Sequence, residues 1–256
     1  MSDPAKQRTP ASNVLALVVA AGRGSRMGTA AGGQAKQYAA LDDLTVLAHA
    51  IGRLLKSPQI SAVQVVIHPD DGARFRGCLS SLGKPGERVL APVHGGATRQ
   101  ASTHNGLRAL QTARPDVVLI HDAARPFLSV AVIDRVLEAC ELADGAVPAL
   151  PAIDTMKRVD QDGGIVETIQ RDTLVRAQTP QAFKYEALLQ AHDTAAMSTP
   201  ERQAAFTDDA SIMEANGRRI VVVEGDEQLR KITTPEDLAW ARRHIQLADA
   251  QQESSR

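Results

Sequence analysis

The sequence contains few of the residues that mark disulfide-rich or zinc-binding proteins. Of its 256 residues only Cys78 and Cys140 are cysteines, and their wide separation fits neither a disulfide scaffold nor a zinc knuckle. The seven histidines show no His-Glu-x-x-His spacing, and the nucleophile elbow of serine hydrolases is missing. We therefore exclude zinc-hydrolase and serine-hydrolase chemistry and expect a reducing, cytoplasmic setting.

No charge of one sign predominates, and no hydrophobic run is long. The 29 lysines and arginines balance 30 acidic residues, so no overall field favours a nucleic acid or an anionic membrane as partner, and neither is expected. The apolar run 14–21 is too short, and too soon followed by glycine, for a signal peptide. Any site for an anion must therefore be local.

Hydrophobic residues make up 43% of the chain, enough for a buried core, and no linker or repeat divides it. Continuous apolar runs predict strands at 14–20, 63–68, 117–120, 146–149 and 220–223. Helical spacing predicts helices at 46–55, 100–110, 132–142 and 187–192. Because uninterrupted apolar strands are buried on both faces, we predict one α/β domain with a mostly parallel sheet between helices. Ligands then bind beyond the carboxyl ends of the strands.

The segment 153–183 departs from this alternation. It holds charges, the pair Gly163-Gly164 and short β-branched pieces, and it predicts an extended hairpin arm off the main sheet. A lone hairpin is marginal in water, so we expect the arm to pair with a second copy of the chain. The polar ends, 1–13 and 247–256, are predicted to be a disordered tail and a frayed terminus.

A glycine-rich segment, AAGRGSRMG at 20–28, follows the first predicted strand, and KQY at 36–38 precedes a helix. Glycine N–H groups can close on phosphate oxygens, and Arg26 and Lys36 supply cations. A dinucleotide fingerprint fails at Met27, and the residues after the last glycine do not fit a P-loop. The pattern favours a nucleoside-triphosphate loop of the nucleotidyltransferase kind; the alternative is a plain strand-to-helix turn.

The motif HDAARPF at 121–127 directly follows the predicted strand 117–120. A carboxylate at the carboxyl end of a parallel strand faces the ligand crevice, so Asp122 is a candidate for holding a Mg²⁺-associated water or a substrate hydroxyl. Arg125 is placed to reach a phosphate. The alternative is an exposed Asp–Arg pair that caps the next helix.

A second glycine pair opens the segment GGATRQAS at 95–102. Its backbone can read the polar edge of a base, with hydrogen bonds added by Arg99 and Ser102, which lie three apart on one helical face. The alternative is a helix N-cap at Thr98, and Thr207 and Thr234 have the same pattern. Further polar segments are DTMKR at 154–158, TPQ at 179–181, TDD at 207–209 and KITTPEDL at 231–238.

Taken in order, these motifs closely resemble those of the 2-C-methyl-D-erythritol 4-phosphate cytidylyltransferases, the CTP-using enzymes of the non-mevalonate isoprenoid pathway. The resemblance runs from about Val14 to Arg242 and rests on AAGRGSRMG, KQY, HDAARP, DTMKR, TPQAF and TPEDL. It implies a single Rossmann-like nucleotidyltransferase domain over 14–246, with the arm serving dimerisation. Some relatives carry a fused cyclase, and because this chain ends soon after Arg242 we expect no second domain.

The resemblance also implies roles for individual residues. Arg26 and Lys36 are expected to stabilise the transition state, and Arg171 and Lys231 to position methylerythritol phosphate. The expected contacts of CTP are Ala20, Ala21, Gly22, Gly24, Gly96, Arg99 and Ser102. The residues expected near the acceptor or a metal are Asp122, Arg125, Thr155 and Thr179, with Asp122 holding Mg²⁺ through water. The chain departs from the family's pattern in a longer loop 27–36, in Ala35 for proline and in Ala97, where an acidic residue sometimes stands.

The implied reaction is in-line attack of the acceptor phosphate on the α-phosphorus of CTP, with Mg²⁺ and fixed cations balancing the developing charge. A homodimer is the implied assembly. One alternative is a pentitol (ribitol) 5-phosphate cytidylyltransferase, against which HDAARP and DTMKR argue. Another is a nucleotide-sensing module that has lost catalysis, against which the retention of Arg26 and Lys36 argues.

Overall fold

Strands and helices alternate along the chain in a computed structural model that describes residues 13–23 and 35–254, with only the backbone described for 248–254. The strands are β1 (Val14–Ala20), β2 (Ile60–Ile67), β3 (Val93–His94), β4 (Val117–Asp122), β5 (Gly145–Pro151), β6 (Met156–Val159), β7 (Ile165–Ile169), β8 (Val175–Ala177), β9 (Gln181–Lys184) and β10 (Ile220–Glu224). The helices are α1 (Val46–Leu55), α2 (Gly72–Leu82), α3 (Arg99–Ala109), α4 (Val130–Leu142), α5 (Tyr185–Ala196), α6 (Pro200–Ala205), α7 (Asp209–Ala215) and α8 (Pro235–Ser254). Every predicted strand and helix is present, several with different ends.

The main sheet has the strand order β10-β5-β9-β4-β1-β2-β3. Strand β1 pairs in parallel with both β2 and β4, and β10 pairs in parallel with β5. Strand β9 is antiparallel to its neighbours β4 and β5, and β8 pairs antiparallel with β5 off the main path. The prediction of a mostly parallel sheet is confirmed.

Helices cover both faces of this sheet, as the continuous apolar strands predict. In β1, Ala16 and Val18 pack into one core, which α1, α2 and α4 complete, while Leu15 and Leu17 pack into the other, beneath α3, α5 and α7. All four β1 side chains are at most 4% exposed. A third, smaller cluster seats α8. Burial on both faces makes this sheet a rigid support for the loops at its edge.

The topology fixes where a ligand can bind. From β1 the chain moves to β2 on one side, and it returns later to β4 on the other side. The loops after β1 and β4 therefore diverge and leave a crevice at the carboxyl edge of the sheet. The glycine-rich segment and HDAARP both begin at this edge.

Capping residues set the starts of the helices that border the crevice. Thr98 caps α3, its side chain accepting from the N–H of Ala101 at 3.0 Å, and Thr234 Oγ1 accepts from the N–H of Asp237 at the start of α8. The predicted cap at Thr207 is wrong, because α7 is capped by Asp208 in a capping box with Ser211. The carboxylate one residue later accepts from the third N–H of the helix, which the threonine is not placed to do.

The arm is shorter than the predicted 153–183. Strands β6 and β7 form a separate two-stranded sheet, as predicted, but β8 and β9 belong to the main sheet. Ala182 and Phe183 are fully buried there, because β9 fills the gap between β4 and β5. The apolar run of β9 is visible in the sequence. The insertion of β9 between β4 and β5, however, depends on tertiary contacts between segments that are far apart in the chain.

Two other expectations also need correction. Helix α2 was not predicted, because only Phe75 and Cys78 on it are buried and its apolar periodicity is weak. At the other end, α8 continues to Ser254, past the frayed end predicted from 247. The predicted tail 1–13 lies, except for Asn13, outside the described residues.

Gly106 shows how closely α3 packs on the sheet. A Cβ at Gly106 would lie 2.5 Å from Leu17 Cδ1 and 2.7 Å from Val66 Cγ2, whereas one at Gly77, in α2, would meet nothing within 4 Å. We expect Gly106→Ala to lower the free energy of unfolding by about 1–3 kcal/mol through overpacking. The matched control Gly77→Ala should raise it by roughly 0.5–1 kcal/mol, because alanine favours the helix. Urea unfolding measures both, and equal effects would contradict this packing.

Candidate active site

A cavity of about 600 Å³ opens at the carboxyl edge of the sheet. The described residues that line it come from the segment after β1, the start of α3, the end of β4 and the segment before α8: Val19, Ala20, Ala21, Gly22, Arg23, Lys36, Gln37, His68, Gly96, Ala97, Thr98, Arg99, Ser102, Asp122, Ala123, Ala124, Lys231 and Thr233. A larger cavity, of about 960 Å³, lies at the opposite edge of the sheet, and none of the predicted site residues lines it. The chemistry-bearing residues therefore converge on the smaller cavity.

The cavity carries a clear excess of positive charge. Among its described lining residues, four are cationic, namely Arg23, Lys36, Arg99 and Lys231, and Asp122 is the single carboxylate. Carboxylates outside the lining, Asp70 and Asp209, offset part of the charge of Arg23 and Arg99. A pocket of this charge attracts anions, and phosphate groups are the multiply charged anions that arginine and lysine bind well. If the protein binds an anion, the balanced composition requires a local site, and this cavity is the candidate for it.

Asp122, at the end of β4, is the centre of this charge arrangement. Its Oδ2 lies 2.8 Å from Lys231 Nζ and 3.7 Å from Arg125 Nε, and its Oδ1 lies 3.6 Å from Arg99 Nη2. Burial alone would raise the pKa of this carboxyl group, but the cations of Lys231, Arg99 and Arg125 hold it well below its ordinary value. Asp122 is therefore ionised and fixes three cations at one point.

A buried hydrogen-bond chain holds Asp122 and Arg125 in place. The N–H of Asp122 donates to Thr179 Oγ1 at 3.0 Å, so the hydroxyl donates in turn to His121 Nδ1 at 3.2 Å. His121 Nε2 then carries the proton and donates to the carbonyl of Arg125 at 3.1 Å, a tautomer assigned from these contacts. Thr179, which was predicted near the acceptor, does not line the cavity but supports its floor.

The turn at Gly95 and Gly96 forms another wall, and Ser102 fixes its shape. The N–H of Gly96 donates to Ser102 Oγ at 3.1 Å, and that hydroxyl donates to the carbonyl of Thr98 at 2.8 Å. A Cβ at Gly95 would lie only 2.4 Å from the Cβ of Ala21, so glycine is required for the turn to approach the end of β1. The turn and the start of the glycine-rich segment thus face one another across a narrow gap.

Lys36 and Gln37 connect the glycine-rich segment to the rest of the site. Gln37 Nε2 donates to the carbonyls of Ala20 at 2.6 Å and Gly22 at 3.0 Å, which fixes the backbone where β1 ends. Lys36 Nζ donates to the carbonyl of Ile232 at 2.9 Å, beside Lys231. The two lysines predicted to act on the substrates therefore lie in the same cavity.

Several predicted site residues are not in this cavity. Thr155 and Arg171 are exposed near the arm, where Arg171 Nη1 donates to the carbonyl of Ile153. Arg171 and Lys231, predicted as a pair, are therefore not brought together within one chain. Arg26 and Gly24, with most of the loop 27–36, lie outside the described residues.

Sequence reasoning missed part of the site. Arg23, Gln37, His68, Thr98 and Thr233 line the cavity without having been predicted as contacts. Of these five, Arg23, Gln37, Thr98 and Thr233 stand inside motifs that were recognised, which was an available signal. Behind the wall, Arg99 Nη1 lies 2.8 Å from Asp209 Oδ2, a contact that the TDD motif did not by itself indicate.

The side chains of the described residues show what could hold a metal ion. Within the described ranges, no group of three or more histidine, cysteine, aspartate or glutamate side chains is placed to hold a metal ion. A metal would thus depend on Asp122 and on ligands that a substrate supplies.

In the part of the chain that the structure describes, every helix is too short or too polar to cross a membrane.

A mostly parallel sheet with a glycine-rich sequence after its first strand, and a cationic cavity around a buried carboxylate in the crevice between the loops after β1 and β4, are typical of nucleotide-binding α/β proteins. The comparisons with known proteins give the family. The family model IspD, 2-C-methyl-D-erythritol 4-phosphate cytidylyltransferase, matches residues 14–246. The chain belongs to this family.

Relatives and solved structures agree with this assignment. A bifunctional enzyme IspD/IspF from Bradyrhizobium sp. is 45% identical over 94% of this chain and 59% of its own length. The 4-diphosphocytidyl-2C-methyl-D-erythritol synthase of Anaerococcus prevotii is 28% identical, with a TM-score of 0.75 over 93% of this chain and 100% of that one. The 2-C-methyl-D-erythritol 4-phosphate cytidylyltransferase of Thermus thermophilus is 31% identical, with a TM-score of 0.68 over 91% and 99%. The chain spans just over half the length of the curated relatives it matches.

The buried His121 makes a pH dependence testable. Burial lowers the pKa of His121 from 6.5 to about 4, so between these values the unfolded chain binds a proton that the folded chain does not. The stability from this group is complete above pH 6.5 and is lost as the pH falls towards 4, by about 3 kcal/mol in all. When urea unfolding is measured from pH 7 to pH 4.5, the free energy of unfolding of His121→Gln should fall less steeply with pH than that of the parent. The exposed His94→Gln is the control, and identical slopes in all three proteins would contradict the prediction.

Proposed function

We propose that this chain transfers the CMP moiety of CTP to 2-C-methyl-D-erythritol 4-phosphate, giving 4-diphosphocytidyl-2-C-methyl-D-erythritol and pyrophosphate. The observation that carries the proposal is the cationic cavity around Asp122, which lies in the crevice between the loops after β1 and β4. The chain that forms this cavity belongs to the IspD family. The two phosphorylated substrates carry several negative charges, which the lining cations offset in part. The reaction would supply an isoprenoid precursor.

The chemistry needs positioned charge and no covalent intermediate. An oxygen of the acceptor phosphate attacks the α-phosphorus of CTP, a P–O bond forms, and the bond to the β-phosphate oxygen breaks to release pyrophosphate. Negative charge grows on the α-phosphoryl oxygens and on the leaving group, so cations fixed near them lower the barrier. The position of Lys36 and Lys231 in the cavity supports this role for them, and the family resemblance supports it for Arg26.

The nucleoside end of CTP is assigned to the wall made by the glycine turn. The N–H of Gly96 and the proton of the Ser102 hydroxyl are already used to fix the turn, so we assign the base contacts to the other backbone groups of the turn and to the remaining lone pair of Ser102 Oγ. Ala20, Ala21 and Gly22 line the same cavity and are assigned to the same nucleotide. Since Ala97 carries no acidic group, base contacts here depend on the backbone and on Ser102.

Magnesium is part of this proposal. Mg²⁺ is commonly held by one or two carboxylates together with the phosphates of a substrate. Asp122 is the one carboxylate among the described lining residues, and because Lys231 and Arg99 already contact its oxygens, it would hold the ion through water. When bound, the ion neutralises charge on the triphosphate.

A homodimer is also proposed, with the arm completing the partner's site. Ile153, Ile165 and Val166 are 66%, 68% and 61% exposed, more apolar surface than a small free hairpin normally shows to water. Arg171 and Thr155 lie near this arm, away from their own cavity. A twofold pairing would cover the apolar side chains and bring both residues to the partner's acceptor site.

We also propose a cytoplasmic setting, which the two free, buried cysteines suit.

A substrate panel tests the function. CTP, ATP, GTP and UTP are each combined with methylerythritol, ribitol and erythritol phosphates, and released pyrophosphate is measured. We expect release with CTP and methylerythritol 4-phosphate, and a loss of about 10²–10⁴ in turnover for Lys36→Ala, which also controls for contaminating activity. Preference for ribitol phosphate would identify a pentitol-phosphate enzyme, and release with no pair would indicate a binding module without catalysis.

Complementation tests the composite site. If Lys36 serves its own cavity and Arg171 serves the partner's, a mixed dimer of Lys36→Ala and Arg171→Ala chains has one site with both defects and one with neither. Random pairing of two nearly inactive chains should then restore about a quarter of the active sites.

The control for this experiment is co-expression of Lys36→Ala with Lys231→Ala. Both of those residues line one cavity of one chain, so each site of the mixed dimer keeps one defect and no activity should return. A monomer in sedimentation, or mixed dimers as inactive as their parents, would contradict the composite site.

A further inference from the structure

A row of three side chains leads from the cavity wall into the protein interior. Arg99 lies between two carboxylates, with Nη2 at 3.6 Å from Asp122 Oδ1 and Nη1 at 2.8 Å from Asp209 Oδ2. Asp209 Oδ1 in turn lies 3.1 Å from His192 Nε2. Arg99, Asp209 and His192 form what we name the Arg99 row, which only Arg99 connects to the cavity.

Contacts other than the one with Arg99 hold the backbone around Asp209 in place. It is the first residue of α7, and the side chain of Gln181 on β9 bridges that helix start, accepting from the N–H of Ala210 at 3.2 Å and donating to Asp208 at 2.7 Å. The Asp209 side chain is fully buried. Burial would raise the pKa of Asp209, but Arg99 and His192 lower it, so it faces Arg99 as a carboxylate.

His192, on α5, is the inner end of the row and has no exposed surface. A carboxylate only accepts hydrogen bonds, so the Nε2 that faces Asp209 carries the proton, and Nδ1 has no hydrogen-bond partner in the described structure. An aliphatic side chain would fill this buried position without leaving a polar nitrogen unsatisfied. The one hydrogen bond of the ring, to Asp209, is therefore the feature that distinguishes histidine here.

We propose that His192 is a positioning residue for the nucleotide site, acting through Asp209 on Arg99. Its Nε2–H fixes the rotation of the Asp209 carboxylate, and that carboxylate keeps Nη1 of Arg99 on the inner side, so that Nη2 stays at the cavity wall near Asp122. Without the donor, the carboxylate can turn, and the guanidinium of Arg99 is no longer held at its place in the cavity wall. The proposal deepens the proposed function and rests on it, because Arg99 contacts a nucleotide only if CTP binds in this cavity.

The test compares three single variants. His192→Leu removes the donor, His192→Gln keeps an N–H on a side chain of similar reach, and Asp193→Asn alters the 2.7 Å contact of Asp193 with His104, whose ring stacks on His192, while leaving the Nε2–H of His192 in place. We expect His192→Leu to raise the Kd and the KM for CTP about five- to tenfold, with kcat within about twofold, which is the size of the loss of one ordinary hydrogen bond. His192→Gln and Asp193→Asn should stay within about twofold of the parent for all three quantities.

A double-mutant cycle shows whether the effect passes through Asp209. Asp209→Asn should weaken CTP binding at least as much as His192→Leu, and combining the two should add nothing further, because one acts through the other. Losses that multiply, or equal weakening by His192→Leu and His192→Gln, would overturn the proposal. If His192→Leu does not fold, His192→Phe, which keeps a ring and removes the donor, replaces it in the same cycle with the same expected and contradicting outcomes.

A second readout separates this proposal from the proposed function. The guanidinium N–H signals of Arg99 in ¹⁵N NMR report whether the side chain is held, with or without CTP. We expect signals protected from exchange in the parent and in His192→Gln, and broadened in His192→Leu. A parent that binds no CTP would refute the proposed function, while unchanged Arg99 signals in His192→Leu would refute the positioning role.

Discussion

The site depends on one desolvated negative charge, the carboxylate of Asp122. A buried carboxylate needs nearby cations, and three segments that are far apart in sequence supply them through Arg99, Arg125 and Lys231. Each cation would repel the others without that carboxylate between them. Asp122 thus holds the start of α3, the HDAARP turn and the segment before α8 around one cavity.

The cations around Asp122 suit the cavity to phosphate groups because their positive charge is only partly neutralised by carboxylates. Asp122, Asp209 and Asp70 together offset part of this charge, and among the described residues the cations around the cavity still outnumber the carboxylates paired with them, which suits phosphate groups. The cations are held by carbonyls and carboxylates on rigid elements, as with Lys36 on the carbonyl of Ile232. A site prepared in this way needs little rearrangement when charge develops during a reaction.

Short-range patterns in the sequence predicted most of the fold and the main residues of the cavity. Strand β1 and helix α1 have the predicted bounds, because continuous apolar residues and 3.6-residue spacing are local properties. Asp122 was placed at a strand end for the same reason. The arm was drawn too long because β9 has the composition of a short strand anywhere, and only pairing with β4 and β5 determines its place. Helix α2, with two buried residues, left too weak a periodicity.

The sequence by itself determined the glycine turn, the strand-end carboxylate and the cations near them in motif order, since each depends on neighbours a few residues away. Only the tertiary structure decided that Thr179 supports Asp122 rather than lining the cavity, and that Asp209 and His192 lie behind Arg99. These pairs join residues far apart in the chain, and their contact depends on how β9, α5 and α7 pack against β4 and α3. No local pattern encodes such packing, because it is the free energy of the whole core that selects it.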